Sequence, residues 1–258
     1  MRDATVMNLL LLSNTANYGS PPLQHCAPAV HKWLGIADQV LFVPYALADH
    51  DGYTERIAGA FHDIGVSASV VGLHQNADPR QAIRNAQAIF IGGGNSFRLL
   101  DTLYNLGLRE IVSQRVRVDG LRYMGSSAGT NMACPTIRTS NDMPIVEPPS
   151  FEALGLVPFQ INPHYQDPAE APNLAHMGET RETRLNEFLE QNDVTVLGLR
   201  EGTWLEVRGG SAKLGGEQGA RVFERNHTRE VPAGSNMTEL MNTVARFDSL
   251  KLGEDEIT

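Results

Sequence analysis

Gly125-Ser126-Ser127-Ala128-Gly129 follows the apolar stretch 121–124 and precedes a run that can continue as a helix. A G-x-S-x-G segment between a strand and a helix lets a serine sit on a sharp turn with its hydroxyl exposed. The glycines suit a turn so tight that no Cβ fits nearby. The helix that follows aims its first N–H groups and the positive end of its dipole at the same spot. Ser127 is therefore a candidate nucleophile, set against the plain turn that short Gly/Ser segments also form.

Working outward from this elbow, apolar runs at 8–13, 39–43, 68–73, 88–91 and 194–199 end in turn residues such as Asn14, Pro44 and Gly92-Gly93-Gly94. Between the earlier runs, residues 23–34, 53–64, 79–86, 97–106 and 108–118 carry apolar side chains at spacings of three and four. This alternation predicts an α/β fold, a doubly wound and mostly parallel sheet with helices on both faces and right-handed crossovers. In such sheets functional groups gather beyond the carboxyl ends of the strands, where this chain puts its polar and glycine-rich punctuation. Residues 203–207, 212–214 and 221–223 are separated by Gly209-Gly210 and Gly215-Gly216 and predict a small antiparallel meander on one edge. Residues 229–258 read as a peripheral C-terminal extension, with a helix at 237–247 and an acidic end at Glu254-Asp255-Glu256. No repeat or linker divides the 258 residues, which predict one domain.

Twenty-one basic and 30 acidic residues leave a formal charge of −9, with 41% hydrophobic residues. That balance argues against a nucleic-acid partner and against an anionic membrane surface. Leu9–Leu12 is too short to span a bilayer and reads as a buried strand. Cys26 and Cys134, the two cysteines, form neither a disulfide framework nor a C-x-x-C pair, so a reducing cytoplasm is the simplest setting. Cys134 is expected to pack in the helix after the elbow.

A serine hydroxyl needs a base. Of the eight histidines, His25, His31 and His62 fall in helical patterns and His176 in a polar loop. His164 closes Phe159-Gln160-Ile161-Asn162-Pro163-His164, an extended run that should project it from a strand end. The third group should be a carboxylate that orients the imidazole. Glu201, after the run 194–199, is one candidate and Asp142, in Thr139-Ser140-Asn141-Asp142-Met143-Pro144, the other. Gly92-Gly93-Gly94-Asn95 and Ala128 can supply backbone N–H groups to a developing oxyanion. No dinucleotide or P-loop fingerprint is present. The order Ser127, His164, Glu201 departs from the nucleophile–acid–histidine order of α/β-hydrolases. It matches class I glutamine amidotransferases, but those use cysteine at the elbow with His and Glu two apart.

Four stretches carry a closer likeness: residues 91–97, residues 125–146, Gln160-Ile161-Asn162-Pro163-His164, and Gly178-Glu179-Thr180-Arg181-Glu182. Through them the chain, from about Leu9 to Phe223, resembles the peptidase E family, serine peptidases that include α-aspartyl dipeptidases and cyanophycinase. The resemblance implies a flavodoxin-like or class I glutamine amidotransferase-like sheet and a triad falling on Ser127, His164 and Glu201. It implies an oxyanion hole from Gly94 and Ala128, and hydrolysis of dipeptides with N-terminal aspartate without metal or cofactor. Ser126 departs from the bulky residue expected before the nucleophile in some members. A small acidic dipeptide needs a cation in a partly dry pocket, for which Arg181 and Arg138 are the candidates. Asp142 or Glu179 would receive the α-ammonium group, and Asn95 stands with the substrate contacts. Loops flanking His164 and Arg181 are compatible with a homodimer. A β-aspartyl-arginine hydrolase of the cyanophycinase type and an inactive flavodoxin-like binding module are the rival readings.

Overall fold

The computed structural model describes residues 7–168 and 179–249, so His176, Gly178 and Glu254-Asp255-Glu256 lie outside the described residues. The first five strands are β1 (Asn8–Leu12), β2 (Gln39–Val43), β3 (Ser69–Gly72), β4 (Ala88–Ile91) and β5 (Arg122–Ser126). They alternate with α1 (Ala27–Leu34), α2 (His50–Asp63), α3 (Pro79–Asn85), α4 (Ser96–Asn105) and α5 (Arg109–Val118). The expected α/β class with a mostly parallel sheet is what the chain adopts. The main sheet runs β3-β2-β4-β5-β1 in parallel and then continues antiparallel through β8 (Thr203–Arg208) and β9 (Ser211–Gly216).

Side-chain alternation builds the layers. Leu9 and Leu11 enter one core with Leu99, Leu103, Val112 and Val116, while Leu10 and Leu12 enter the other with Val30, Trp33, Ile57 and Phe61. An unbroken leucine run is what a strand buried on both faces requires. Three of these helix starts carry a side-chain cap. Asp49 accepts from the Gly52 N–H, Asp78 from Gln81, and Asn95 from both Phe97 and Arg98, so donors without intrahelical acceptors are satisfied.

The expected meander is split, and this is the main difference from the sequence reading. Its third strand, β10 (Ala220–Glu224), leaves the main sheet and joins a second sheet ordered β11-β10-β7-β6. The partners are β6 (Gln160–Tyr165), β7 (Val196–Arg200) and β11 (His227–Val231). The reason lies in β7, which is buried on both faces and needs a strand on each side. It pairs parallel with β6 and antiparallel with β10. Helix α7 (Arg181–Gln191) covers this sheet with Leu185 and Leu189 against Val196 and Phe223.

Residues 229–249 also differ from the peripheral extension expected. Strand β11 pairs along β10, and Met237 and Leu240 are buried in the first core. Backbone bonds from Leu214 to Ser235 and from Met237 to Ala212 close the free edge of β9. In place of a helix at 237–247 there is a short 3-10 turn, Thr238–Asn242. Beyond it the Arg246 backbone exchanges two bonds with Asp193, which takes the groups a longer helix would need.

Candidate active site

The loops after β1, β4, β5, β6 and β7 converge at one end of the two sheets. At the elbow, β5 ends at Ser126 and α6 (Ala128–Ala133) begins at once, leaving Ser127 between them at φ 52° and ψ −110°. A serine at positive φ is uncommon and costs on the order of 1–3 kcal/mol. Two close approaches hold it there. A Cβ on Gly125 would strike the Gly129 carbonyl, and one on Gly129 would strike the Ile91 carbonyl of β4. The Ser127 N–H donates to the Leu12 carbonyl of β1 at 3.1 Å, tying the elbow to the central strand.

His164 comes from β6. Proline has no N–H to give to the neighbouring strand, and the β6–β7 register slips by one residue between Asn162 and Tyr165. Within that bulge His164 takes φ 53° and its ring leaves the sheet. Its Nε2 lies 2.9 Å from Ser127 Oγ and its Nδ1 lies 2.8 Å from Glu201 Oε1. Glu201 occupies the two-residue turn between β7 and β8, where Gly202 at φ +77° reverses the chain from one sheet to the other. The imidazole is about one-third exposed and the carboxylate half exposed, so substrate and water can reach the line. The neighbouring Arg200 anchors this turn through Asp167 at 2.6 and 2.7 Å and Glu230 at 3.0 Å. That guanidinium holds the Asp167 carboxyl below its ordinary range.

Gly93 and Gly94 follow β4 and face the elbow. A Cβ on Gly93 would sit 3.1 Å from Ser127 Cβ. Gly94 has φ +132°, and a Cβ there would meet the Ala46 carbonyl oxygen at 2.6 Å. Ala128 is the first residue of α6, so its N–H has no intrahelical acceptor. Among the described residues neither the Gly94 nor the Ala128 N–H has a hydrogen-bond partner. Two unpaired donors beside a serine hydroxyl can stabilise an oxyanion.

The remaining candidates separate. Arg181, at the start of α7, is partly buried, which pulls its pKa down, as does the like charge of Arg184, while Asp142 opposes both. It makes no ion pair within 4 Å among the described residues. Asp142, the other acid considered beside His164, has no hydrogen bond to that ring among the described residues. Its Oδ2 accepts from the Ser96 N–H at 2.8 Å, Ser96 Oγ at 2.7 Å and Ser140 Oγ at 3.1 Å. It thereby fixes the turn that carries Gly94. Arg138 is committed elsewhere, with Asp248 at 3.0 and 3.3 Å and the rings of Phe151 and Phe247 beneath its guanidinium. The Asn95 side chain is occupied in capping α4 and in donating to the Met143 carbonyl at 2.8 Å. Glu179 is exposed and pairs with Arg184 at 3.5 Å.

Cys134 caps the end of α6, with Sγ 3.2 Å from the Ile161 N–H. Both cysteines are fully buried, and burial pushes each thiol up to about 12. Sequence reasoning missed Ser13, Asn14 and Thr15. The only local signal was their polarity at the end of β1.

The family model described as Peptidase family S51 matches residues 9–215. A protein of Streptomyces coelicolor named peptidase E is 57% identical over 94% of this chain and 98% of its own length. A Drosophila melanogaster protein named "Probable alpha-aspartyl dipeptidase" is 47% identical over 92% of this chain and 99% of its own. In fold, the chain resembles the crystal structure of a peptidase from an acI-B1 actinobacterium, with a TM-score of 0.64 at 15% identity over 91% of this chain and 98% of that one.

Proposed function

The chain belongs to peptidase family S51, and we propose that it is a serine dipeptidase that releases N-terminal aspartate from Asp-Xaa substrates. The names of its relatives support the substrate class. The observation that carries the mechanism is the unbroken line from Ser127 Oγ through His164 to Glu201, at 2.9 and 2.8 Å.

Neutral His164 takes the proton of Ser127 as its oxygen attacks the carbonyl carbon of the aspartyl residue. The N–H groups of Gly94 and Ala128 hold the resulting oxyanion. Protonated His164 then gives its proton to the leaving amine, and the C–N bond breaks. Water, deprotonated by His164, attacks the acyl-enzyme, releases aspartate and restores the serine. Glu201 stays ionised and holds the imidazole in the tautomer and orientation this cycle needs. Arg181 binds the aspartyl side chain. A partly buried guanidinium with no ion-pair partner among the described residues is relieved by a carboxylate. Two buried thiols agree with a reducing cytoplasmic setting. Among the described residues no helix is long and apolar enough to cross a membrane.

The test is hydrolysis of Asp-Leu, Asn-Leu, N-acetyl-Asp-Leu and β-Asp-Arg by wild type and Ser127→Ala in the presence of a chelator. Wild type should cleave Asp-Leu, and Ser127→Ala should lose about 10⁴–10⁶ in kcat. Near-wild-type turnover by the variant would end the mechanism. Equal rates on the first three substrates would end the specificity reading, and cleavage of β-Asp-Arg alone would transfer the chain to the cyanophycinase type.

A further inference from the structure

We propose that Ser13 and Asn14, two residues of the loop after β1, are positioning residues that set the spacing of the catalytic line. The inference rests on Ser127, His164 and Glu201 acting as assigned above. The three side chains come from the elbow, a bulge in β6 and the β7–β8 turn, on two different sheets, so something must fix the distance between those sheets at the site. The end of β1 and the chain just beyond it touch all three. Leu12 accepts from the Ser127 N–H at 3.1 Å and from Thr130 Oγ1 at 2.6 Å. Thr15 Oγ1 lies 2.7 Å from Ser126 Oγ. Those contacts hold the elbow.

Ser13 bridges the other two partners. Its hydroxyl donates to the Leu199 carbonyl of β7 at 2.9 Å and accepts the His164 N–H at 2.9 Å. A hydroxyl both donates and accepts, so one oxygen ties the bulge bearing His164 to the strand leading into Glu201. The Ser13 N–H donates to the Thr203 carbonyl at 3.0 Å, on the far side of the Glu201 turn. Asn14 Oδ1 then accepts the Gly202 N–H at 2.8 Å, and its Nδ2 donates to the Ala16 carbonyl and to Asn17 Oδ1 at 2.8 and 2.9 Å. Ser13 and Asn14 are 0% and 3% exposed, so water does not replace these bonds readily. His164 at φ 53° is a strained residue, and such residues persist only where surrounding structure over-determines them.

The experiment measures kcat and KM on Asp-Leu for Ser13→Ala alone and with His164→Ala, and for Asn14→Ala alone and with Glu201→Ala. The same variants are also timed for labelling of Ser127 by a small serine-directed phosphonate. Ser113→Ala on α5, which loses a 2.9 Å bond to the Leu154 carbonyl, controls for a missing hydroxyl. Each single variant should lose about 10–10²-fold in kcat and in labelling rate, as small misplacements of reacting groups do, with KM changed less than about threefold. Once the partner is already gone, the further loss should shrink to under about threefold, because groups acting as a unit are not additive. Wild-type kcat in both single variants would overturn the proposal. So would a loss that persists undiminished in the double variants, or one that Ser113→Ala reproduces. If Ser13→Ala fails to fold, the Asn14 pair decides alone. Wild type that labels at Ser127 yet leaves Asp-Leu intact would count against the substrate reading, and the labelling ratios would still judge the positioning.

Discussion

Gly93→Ala and Gly129→Ala separate the packing of the elbow from its chemistry. At Gly93 the backbone does not require positive φ, and the new methyl would lie 3.1 Å from Ser127 Cβ, 3.3 Å from the Ser126 carbonyl oxygen and 3.8 Å from Ser127 Oγ. Comfortable contacts begin near 3.5 Å, so Ser127 must yield by roughly 0.3–0.5 Å. With about 10²-fold lost per ångström of misplacement, that displacement alone removes about 4–10-fold. The methyl also crowds the space between Ser127 and Gly94 where a carbonyl must enter, so kcat/KM should fall by about 10–10²-fold. Stability should hardly change, because a mild overlap is offset by the reduced freedom of the unfolded chain, about 0.4–1 kcal/mol. At Gly129 the methyl would overlap the Ile91 carbonyl oxygen in the middle of the sheet, where neither backbone can retreat. Overpacking of this kind costs about 3 kcal/mol, which lowers Tm by about 6–12 °C in a chain of this size. Calorimetry and Asp-Leu hydrolysis on both variants decide the matter. Wild-type kcat/KM in Gly93→Ala would refute the placement of the reaction between that turn and Ser127. A wild-type melt for Gly129→Ala would refute the packing of the elbow.

Arg181→Ala should raise KM for Asp-Leu by about 10–10²-fold, the worth of a charged hydrogen bond, and leave Asn-Leu hydrolysis nearly unchanged. Arg138→Ala should leave KM unchanged and lower Tm by about 2–4 °C, since its guanidinium serves Asp248 and two aromatic rings. Asp167 has its pKa lowered in the fold by Arg200. Its stabilisation is therefore full above the unfolded value of about 3.9 and is lost as pH falls through the lower folded value. Thermal melts from about pH 5 to pH 3 should accordingly decline less steeply for Asp167→Asn than for wild type.

Local pattern made much of this protein legible. Alternating short apolar runs and helical spacings foretold the parallel strands, and turn residues marked the end where the loops converge. Pro163 and the extended run before it pointed to His164 because a missing N–H breaks pairing wherever it occurs. Glu201 was visible as an acid at a strand end before glycine. The second sheet was not visible, because β7 and β10 read alike whichever neighbour they pair with. Arg138 looked free because Asp248 lies 110 residues away. Ser13 and Asn14 passed as turn punctuation because their partners, His164 and Gly202, are distant in the chain.

The sealing of Cys26 and Cys134 has a practical corollary. Alkylating agents find no ionised sulfur on the native protein near neutral pH. A Ser127→Cys chain would therefore offer a maleimide or iodoacetamide a single target. The number of molecules modified per chain would then count competent pockets directly, without any turnover being measured.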